Sequence, residues 1–131
     1  MEEKIREQVE KLAVDGNLSC DKAHALASQL GVSPLQIGRV VNDATNLRFY
    51  RCQLGLFGYG PKPEGKHKIV LPAARVPKEI EEAIAARARH GLISCRAIWR
   101  VAEEFEYPRL AMANIVEALN LRVVGCQLGC F

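Results

Sequence analysis

The chain has 131 residues, 49% of them hydrophobic and 25% charged, with a net charge of +3. This composition is typical of a folded globular protein and not of a disordered one. The charged start, Met1–Arg6, lacks the apolar stretch of a signal peptide. No apolar run approaches the roughly 18 residues of a membrane span. These features argue against secreted and membrane proteins, and we expect a cytoplasmic protein.

Two helices are predicted at the start of the chain. Apolar residues at helical spacing predict the first over about Glu3–Val14. Ser19 is the expected N-cap of the second, Cys20–Leu30, because its hydroxyl accepts a hydrogen bond from a free amide of the first turn. Gly31 is expected to end this helix, since glycine adopts the left-handed conformation at little cost.

A third helix is predicted over residues 34–45. Ser33 is its expected cap, and Pro34 stands at the favoured first position. Gly38 lies inside this helix, where it costs about 1 kcal/mol relative to alanine. Such a glycine indicates that either another helix or DNA approaches closely.

A β-hairpin is predicted after the third helix. The aromatic and partly alternating segment Leu47–Leu54 is typical of a strand. Gly58–Gly65 is dense in turn-forming residues, and Lys66–Leu71 is predicted as the returning strand. Pro72 has no amide to donate, so we expect this strand to stop there.

The positive charge of the chain is concentrated around this hairpin. Residues 47–78 hold seven Lys and Arg against one acid, Glu64, for a net charge of +6. Residues 1–46 have a net charge of −2, and residues 79–131 one of −1. A local basic segment of this kind indicates a polyanionic partner.

The second half of the chain repeats the helical pattern after a linker, residues 72–77. Helices are predicted over about Pro77–Arg89, Cys95–Phe105 and Arg109–Leu119. A last strand, Leu121–Leu128, has no room for a second hairpin. We expect it to pair with the equivalent strand of the first half across a pseudo-twofold axis.

An internal duplication explains the two halves. Gly16–Gly55 aligns with Gly91–Gly129, with one gap at Ser33, and 13 of 39 aligned positions are identical. The predicted fold is mainly α with small β, in two tandem three-helix helix-turn-helix units, 1–71 and 78–131, packed as one compact body. The identical pairs are Gly16/Gly91, Ser19/Ser94, Cys20/Cys95, Ala27/Ala102, Pro34/Pro108, Ala44/Ala118, Asn46-Leu47-Arg48 with Asn120-Leu121-Arg122, and Cys52-Gln53-Leu54-Gly55 with Cys126-Gln127-Leu128-Gly129.

The first unit, over roughly residues 3–71, resembles a winged helix-turn-helix domain of bacterial DNA-binding proteins. Ala27 supplies the small residue at the helix crossing, and Gly31 supplies the turn. Apolar side chains that lock the second helix onto the first are present at Ile37 and Val40, with Val32 in the turn. The resemblance implies a transcriptional regulator with a tandem fold, the hairpin being its wing.

In that family the third helix enters the major groove and the wing contacts phosphates. Glutamine pairs with adenine and arginine with guanine. The resemblance therefore implies that the outward residues of helix three, the strand and the wing bind DNA: Ser33, Gln36, Arg39, Asn42, Arg48, Arg51, Lys62, Lys66 and Lys68.

The second unit departs from this pattern. Glu106-Tyr107 replaces the glycine turn, and its third helix is more apolar than that of the first unit. We expect this helix to serve packing or dimerisation, so that a homodimer forms through the second unit.

The alternative is a protein-interaction or thiol- or metal-sensing accessory module on the same fold. An odd number of cysteines without a secretory signal favours reduced thiols over disulfides. No metal site, cofactor, small-molecule ligand or enzymatic site is predicted. The candidates for a metal or redox site are Cys20, Cys52, Cys95, Cys126 and Cys130.

Overall fold

The computed structural model describes residues 1–131. It contains six α-helices and four three-residue strands. The fold is mainly α with little β, as the sequence predicts. None of the helices is both long and apolar enough to cross a membrane. In chain order the elements are α1 (Glu2–Leu12), β1 (Asn17–Ser19), α2 (Cys20–Leu30), α3 (Pro34–Ala44), β2 (Arg48–Tyr50), a short 3-10 helix (Lys62–Glu64), α4 (Lys78–Arg87), β3 (Leu92–Ser94), α5 (Cys95–Glu104), α6 (Arg109–Ala118) and β4 (Arg122–Val124).

Both halves have the same order of elements: helix, strand, helix, helix, strand. β1 pairs in parallel with β2, with Leu18 opposite Phe49, and β3 pairs in parallel with β4, with Ile93 opposite Val123. Parallel strands need a crossover connection, and the two helices between each pair supply it. Each half therefore closes on itself as a small α/β unit.

The predicted β-hairpin wing is wrong. Lys66–Leu71 is not a strand, and β2 pairs with β1 instead. The amides of this segment are satisfied one at a time: Ile69 donates to the carbonyl of Gly55 (2.8 Å), and Leu71 donates to Oδ1 of Asn114 in α6 (3.0 Å). The end of the segment contacts the second half, through this bond of Leu71 and through the buried Val70.

The predicted pairing of the last strand is also wrong. β4 pairs with β3 of its own half, not with the strand of the first half, and it covers only Arg122–Val124 of the predicted Leu121–Leu128. The sequence interpretation left out β1 and β3. Each consists of only three residues and ends at the serine that caps the next helix, so neither is long enough to show the alternation of a strand.

The alignment of the two third helices shifts by one residue. The buried positions of α3 and α6 lie 75 residues apart throughout, so Pro34, which begins α3, corresponds to Arg109, and the predicted match with Pro108 is wrong. Pro108 is the N-cap of α6, and the gap falls after the helices. The equivalent buried residues are Ile37/Met112, Gly38/Ala113, Val40/Ile115 and Val41/Val116.

Each half contributes one leucine to the hydrophobic core of the other half. Leu54 comes from the first half but is fully buried in the core of the second, where Cys52 and Val70 join it. Leu128 comes from the second half and is 1% exposed in the core of the first. Each repeated Cys-Gln-Leu-Gly segment thus completes the core of the other half.

Gly38 marks a close approach of backbone, not of DNA. The residue is buried in α3, and a Cβ built on it would meet the carbonyl oxygen of Leu128 and lie 2.8 Å from the carbonyl carbon. The glycine therefore lets the exchanged segment lie directly on the helix.

Candidate functional site

The turn between α2 and α3 is built from the predicted capping residues. Ser19 caps α2 by accepting from the amide of Lys22 (3.2 Å). Gly31 ends α2 in the left-handed conformation, with φ at 68°. Ala27 is buried against the core at 2% exposure. These contacts fix where α3 begins and which of its faces points outward.

Ser33 and Gln36 form a capping box at the start of α3. The amide of Gln36 donates to Ser33 Oγ (3.2 Å), and the amide of Ser33 donates to Gln36 Oε1 (3.1 Å). This reciprocal pair satisfies two amides that the first turn leaves free. The side-chain oxygen Oε1 of Gln36 is therefore engaged, while Arg39 and Asn42 are exposed further along the same helix.

An open cleft of about 830 Å³ lies at the end of α3. Of the nine residues predicted to bind DNA, Asn42, Arg48 and Lys62 line this cleft together. Cys130 and Phe131 of the second half line it as well. The cleft therefore joins the outward face of α3, two cations and the exchanged segment.

Three of the remaining predicted cations have partners outside this cleft. Lys66 lies 3.8 Å from Glu64, and Lys68 lies 3.7 Å from Glu117 in α6. The guanidinium of Arg51 lies 5.2 Å from the ring centre of Tyr50. None of these three side chains lines the cleft.

The start of α6 is used for packing between the halves. The guanidinium of Arg109 lies 3.6 Å from the ring centre of Trp99 and 3.4 Å from Gln53 Oε1 of the first half. The ring of Trp99 also contacts the ring of His24 of α2. These contacts hold the start of α6 against the first half.

Two turns of identical geometry, which we call the cysteine turns, span Cys52–Phe57 and Cys126–Phe131. In each, the glycine amide donates to the cysteine carbonyl at 2.9 Å, and the cysteine amide donates to the phenylalanine carbonyl at 3.2 Å. The repeat predicted from the sequence ended at Gly55 and Gly129 and did not include the phenylalanines. The signal was present, since Cys-Gln-Leu-Gly-Leu-Phe and Cys-Gln-Leu-Gly-Cys-Phe differ at one position.

Three of the five cysteines are buried thiols. Cys20 and Cys95 begin α2 and α5, and Cys52 begins the first cysteine turn. The pKa of Cys20 is raised to about 12, mainly by burial; a backbone hydrogen bond from Gln53 opposes the rise, and the neighbouring cysteines add to it. Burial likewise raises the pKa of Cys95 and of Cys52. No three histidine, cysteine or acidic side chains are placed to hold a metal ion.

Cys126 differs from the other cysteines. The side chain of Cys130 lowers the pKa of Cys126 to about 6. Burial opposes the effect, whereas the amides of Cys130, Leu128 and Gly129 support it. The side chain of Cys126 in turn raises the pKa of Cys130. Of the five cysteines, Cys126 is therefore the one that ionises most readily.

Comparison with known proteins adds no relative to this description. The chain matches no protein-family model, no curated protein and no solved structure. The resemblance to winged helix-turn-helix proteins rests on the residues of the first half alone.

Proposed function

We propose that this chain binds DNA through the outward face of α3. The observation that carries the proposal is the cleft at the end of this helix, where Asn42 lies with Arg48 and Lys62. The connection of α2 to α3 through Gly31 supports it, because helix-turn-helix proteins place the second helix of such a pair in the major groove.

Base contacts are assigned to Arg39 and Asn42. Both side chains are exposed on α3, and arginine and asparagine make bidentate contacts with guanine and adenine. We expect Gln36 to contribute less to base reading than its residue type indicates, since its side-chain Oε1 already accepts from the amide of Ser33.

Phosphate contacts are assigned to Arg48 and Lys62, with Arg51 beside them. All three are exposed, and the first two flank the end of α3 without an acidic neighbour in the cleft. Lys66 and Lys68 contribute less, because each lies within 4 Å of a glutamate. The surface that we assign to phosphate contacts is therefore the rim of the cleft and not a hairpin wing.

Fluorescence anisotropy with a labelled random-sequence duplex, titrated across salt, tests the phosphate contacts. Each contact adds about −0.9 to the slope of log affinity against log salt. The double variant Arg48→Ala/Lys62→Ala is expected to lose about 2 units of slope. The matched control is Lys78→Ala/Arg96→Ala, which removes two exposed cations that do not line the cleft. Affinity that does not change with salt, or equal slopes for the two variants, would overturn the proposal.

Base reading needs a second measurement. A duplex selected from the random pool is compared with the unselected pool for Arg39→Ala and for Asn42→Ala. Each change is expected to reduce the preference for the selected duplex by about tenfold, because one bidentate base contact contributes about 1–3 kcal/mol. The salt slope of Asn42→Ala stays unchanged, since a neutral side chain releases no counterion.

A further inference from the structure

A second open cleft, of about 550 Å³, adjoins the cleft at the end of α3. The second cleft is lined by His67 of the first half and by Arg122 of the second half. We call the two clefts together the phenylalanine groove, and both halves of the chain line it. The lining residues that the two clefts share are Phe49, Phe57, Lys62 and Phe131.

The duplication brings two pairs of equivalent residues to this groove. Arg48 and Arg122 each follow the repeated Asn-Leu, and Phe57 and Phe131 end the two cysteine turns. All four residues line the groove. The two halves therefore contribute equivalent arginines and equivalent phenylalanines to one surface.

Three phenylalanines line the groove, and they differ in how they are held. Phe49 is half-buried against the core of the first half, and Phe57 is half-buried against the core of the second. Phe131 packs against neither core and is 50% exposed. Packing thus fixes two of the rings, but it does not account for the third.

Unpaired positive charge accompanies the rings. Arg48, Lys62 and Arg122 are exposed, and none of them forms a salt bridge. No acidic side chain lines either cleft. A cleft lined by charges of one sign attracts a ligand of the opposite sign. The groove is therefore complementary to a chain of phosphates.

The rings decide which kind of polyanion fits the groove. Aromatic side chains beside cations are typical of proteins that bind single-stranded nucleic acid, because each unpaired base offers a face on which a ring stacks. In a duplex those faces are covered by the neighbouring base pairs, and the protein reads base edges instead. An acidic peptide would pair with the cations but would offer few flat groups to the rings.

We propose that the phenylalanine groove binds an unpaired nucleic-acid strand, with its phosphates on the cations of the groove and a base stacked on Phe131. This inference goes beyond duplex binding by α3 and does not depend on it. The two sites share Arg48 and Lys62. The tests therefore use Phe131 and Arg122, to which the proposed function assigns no duplex contact.

Fluorescence anisotropy compares a labelled oligothymidine strand with the same strand annealed to its complement, and a labelled oligouridine serves as the RNA probe. Phe131→Ala is expected to weaken binding of the single strands by about tenfold, the typical effect of losing one stacked base, and to leave duplex binding unchanged. Arg39→Ala, on the outward face of α3, is the control and should leave single-strand binding unchanged.

The outcomes separate this inference from the proposed function. Binding of neither single strand would overturn the groove site, and so would an equal loss of strand and duplex binding in Phe131→Ala. A chain that binds a single strand through Phe131 but binds no duplex would refute the proposed function and support the groove site.

The variant Phe131→Trp gives an independent readout. Tryptophan retains a ring for stacking, so strand binding should be retained. The added indole lies in the groove, whereas Trp99, the single tryptophan of the parent chain, does not line it. Because stacked bases quench indole fluorescence, we expect a single strand to quench the emission of the variant more strongly than that of the parent. Equal quenching in both proteins would contradict stacking at Phe131.

Arg122→Ala tests the phosphate contact from the second half. The slope of log single-strand affinity against log salt is expected to become shallower by about 0.7, the value for one phosphate on a single strand. The matched control is Arg96→Ala, which removes an exposed arginine of α5 that lines neither cleft. Equal slopes for the two variants would show that the strand does not reach the second half, contrary to the proposal.

Discussion

The rings of His24 of α2 and Trp99 of α5 contact each other, with their centres 4.1 Å apart and their planes tilted by 38°. They occupy equivalent positions of the two repeats, 75 residues apart. A second pair of contacts follows the same rule, since a Cβ at Gly55 would meet Leu110 and one at Gly129 would meet Leu35. Equivalent residues meeting in this reciprocal way place a local pseudo-twofold axis between the halves.

Protonation of His24 is expected to destabilise the fold. Burial first, and then the charge of Arg109, lower the pKa of His24 from 6.5 to about 4, while Asp21 opposes them. The unfolded chain binds this proton more readily, so the stability contribution is complete above pH 6.5 and is lost as the pH falls towards 4.

Urea unfolding at a series of pH values measures this loss. The variant His24→Gln should show a flatter decline of stability between pH 6.5 and 4 than the parent chain. A parallel decline in both proteins would assign the pH dependence to other groups.

Gly38→Ala is expected to destabilise the protein although alanine favours helices. The helical gain is about 1 kcal/mol, but the added methyl group meets the backbone of Leu128, whose side chain is fixed in the core of the first half. Overpacking of this kind costs about 1–3 kcal/mol or more. Chemical unfolding measures the difference, with Asn42→Ala on the exposed face of α3 as the control. A more stable Gly38→Ala variant would show that the segment is not held against α3.

Leu54→Ala and Leu128→Ala are expected to weaken opposite halves. Each leucine is almost fully buried, and its truncation costs about 2–5 kcal/mol. Because the leucines are exchanged, Leu54→Ala should raise amide exchange first in α4–α6, and Leu128→Ala first in α1–α3. Hydrogen exchange followed by NMR distinguishes the two patterns, and exchange raised in the parent half of each leucine would refute the exchanged packing.

Arg109→Lys is expected to lower stability by about 1 kcal/mol through loss of the stacked guanidinium. The charge is retained, so the effect isolates the contact with Trp99 and Gln53. Trp99 is the single tryptophan, and its fluorescence should shift as the ring gains solvent exposure. An unchanged spectrum and an unchanged unfolding midpoint would show that the stack contributes nothing.

The candidate site was predictable only in its local parts. The caps at Ser19 and Ser33 and the stop at Gly31 follow from hydrogen bonds that act over a few residues, and all three are present. The wing predicted from the sequence does not form, because β2 pairs with β1 instead. The approach of Arg48 and Lys62 to Cys130 depends on the exchanged segment, which no local spacing encodes.

The helices, their caps and the duplication could be predicted from the sequence, since these depend on side-chain periodicity and on contacts within one turn of chain. The core that each leucine enters and the pairing of the strands could not, because both depend on contacts between residues far apart in the chain. Leu54 and Leu128 lie in the same Cys-Gln-Leu-Gly segment, so this local sequence does not say which core each one enters. The contacts between the halves hold each leucine in its core: Leu128 lies directly on Gly38, and the ring of His24 contacts the ring of Trp99.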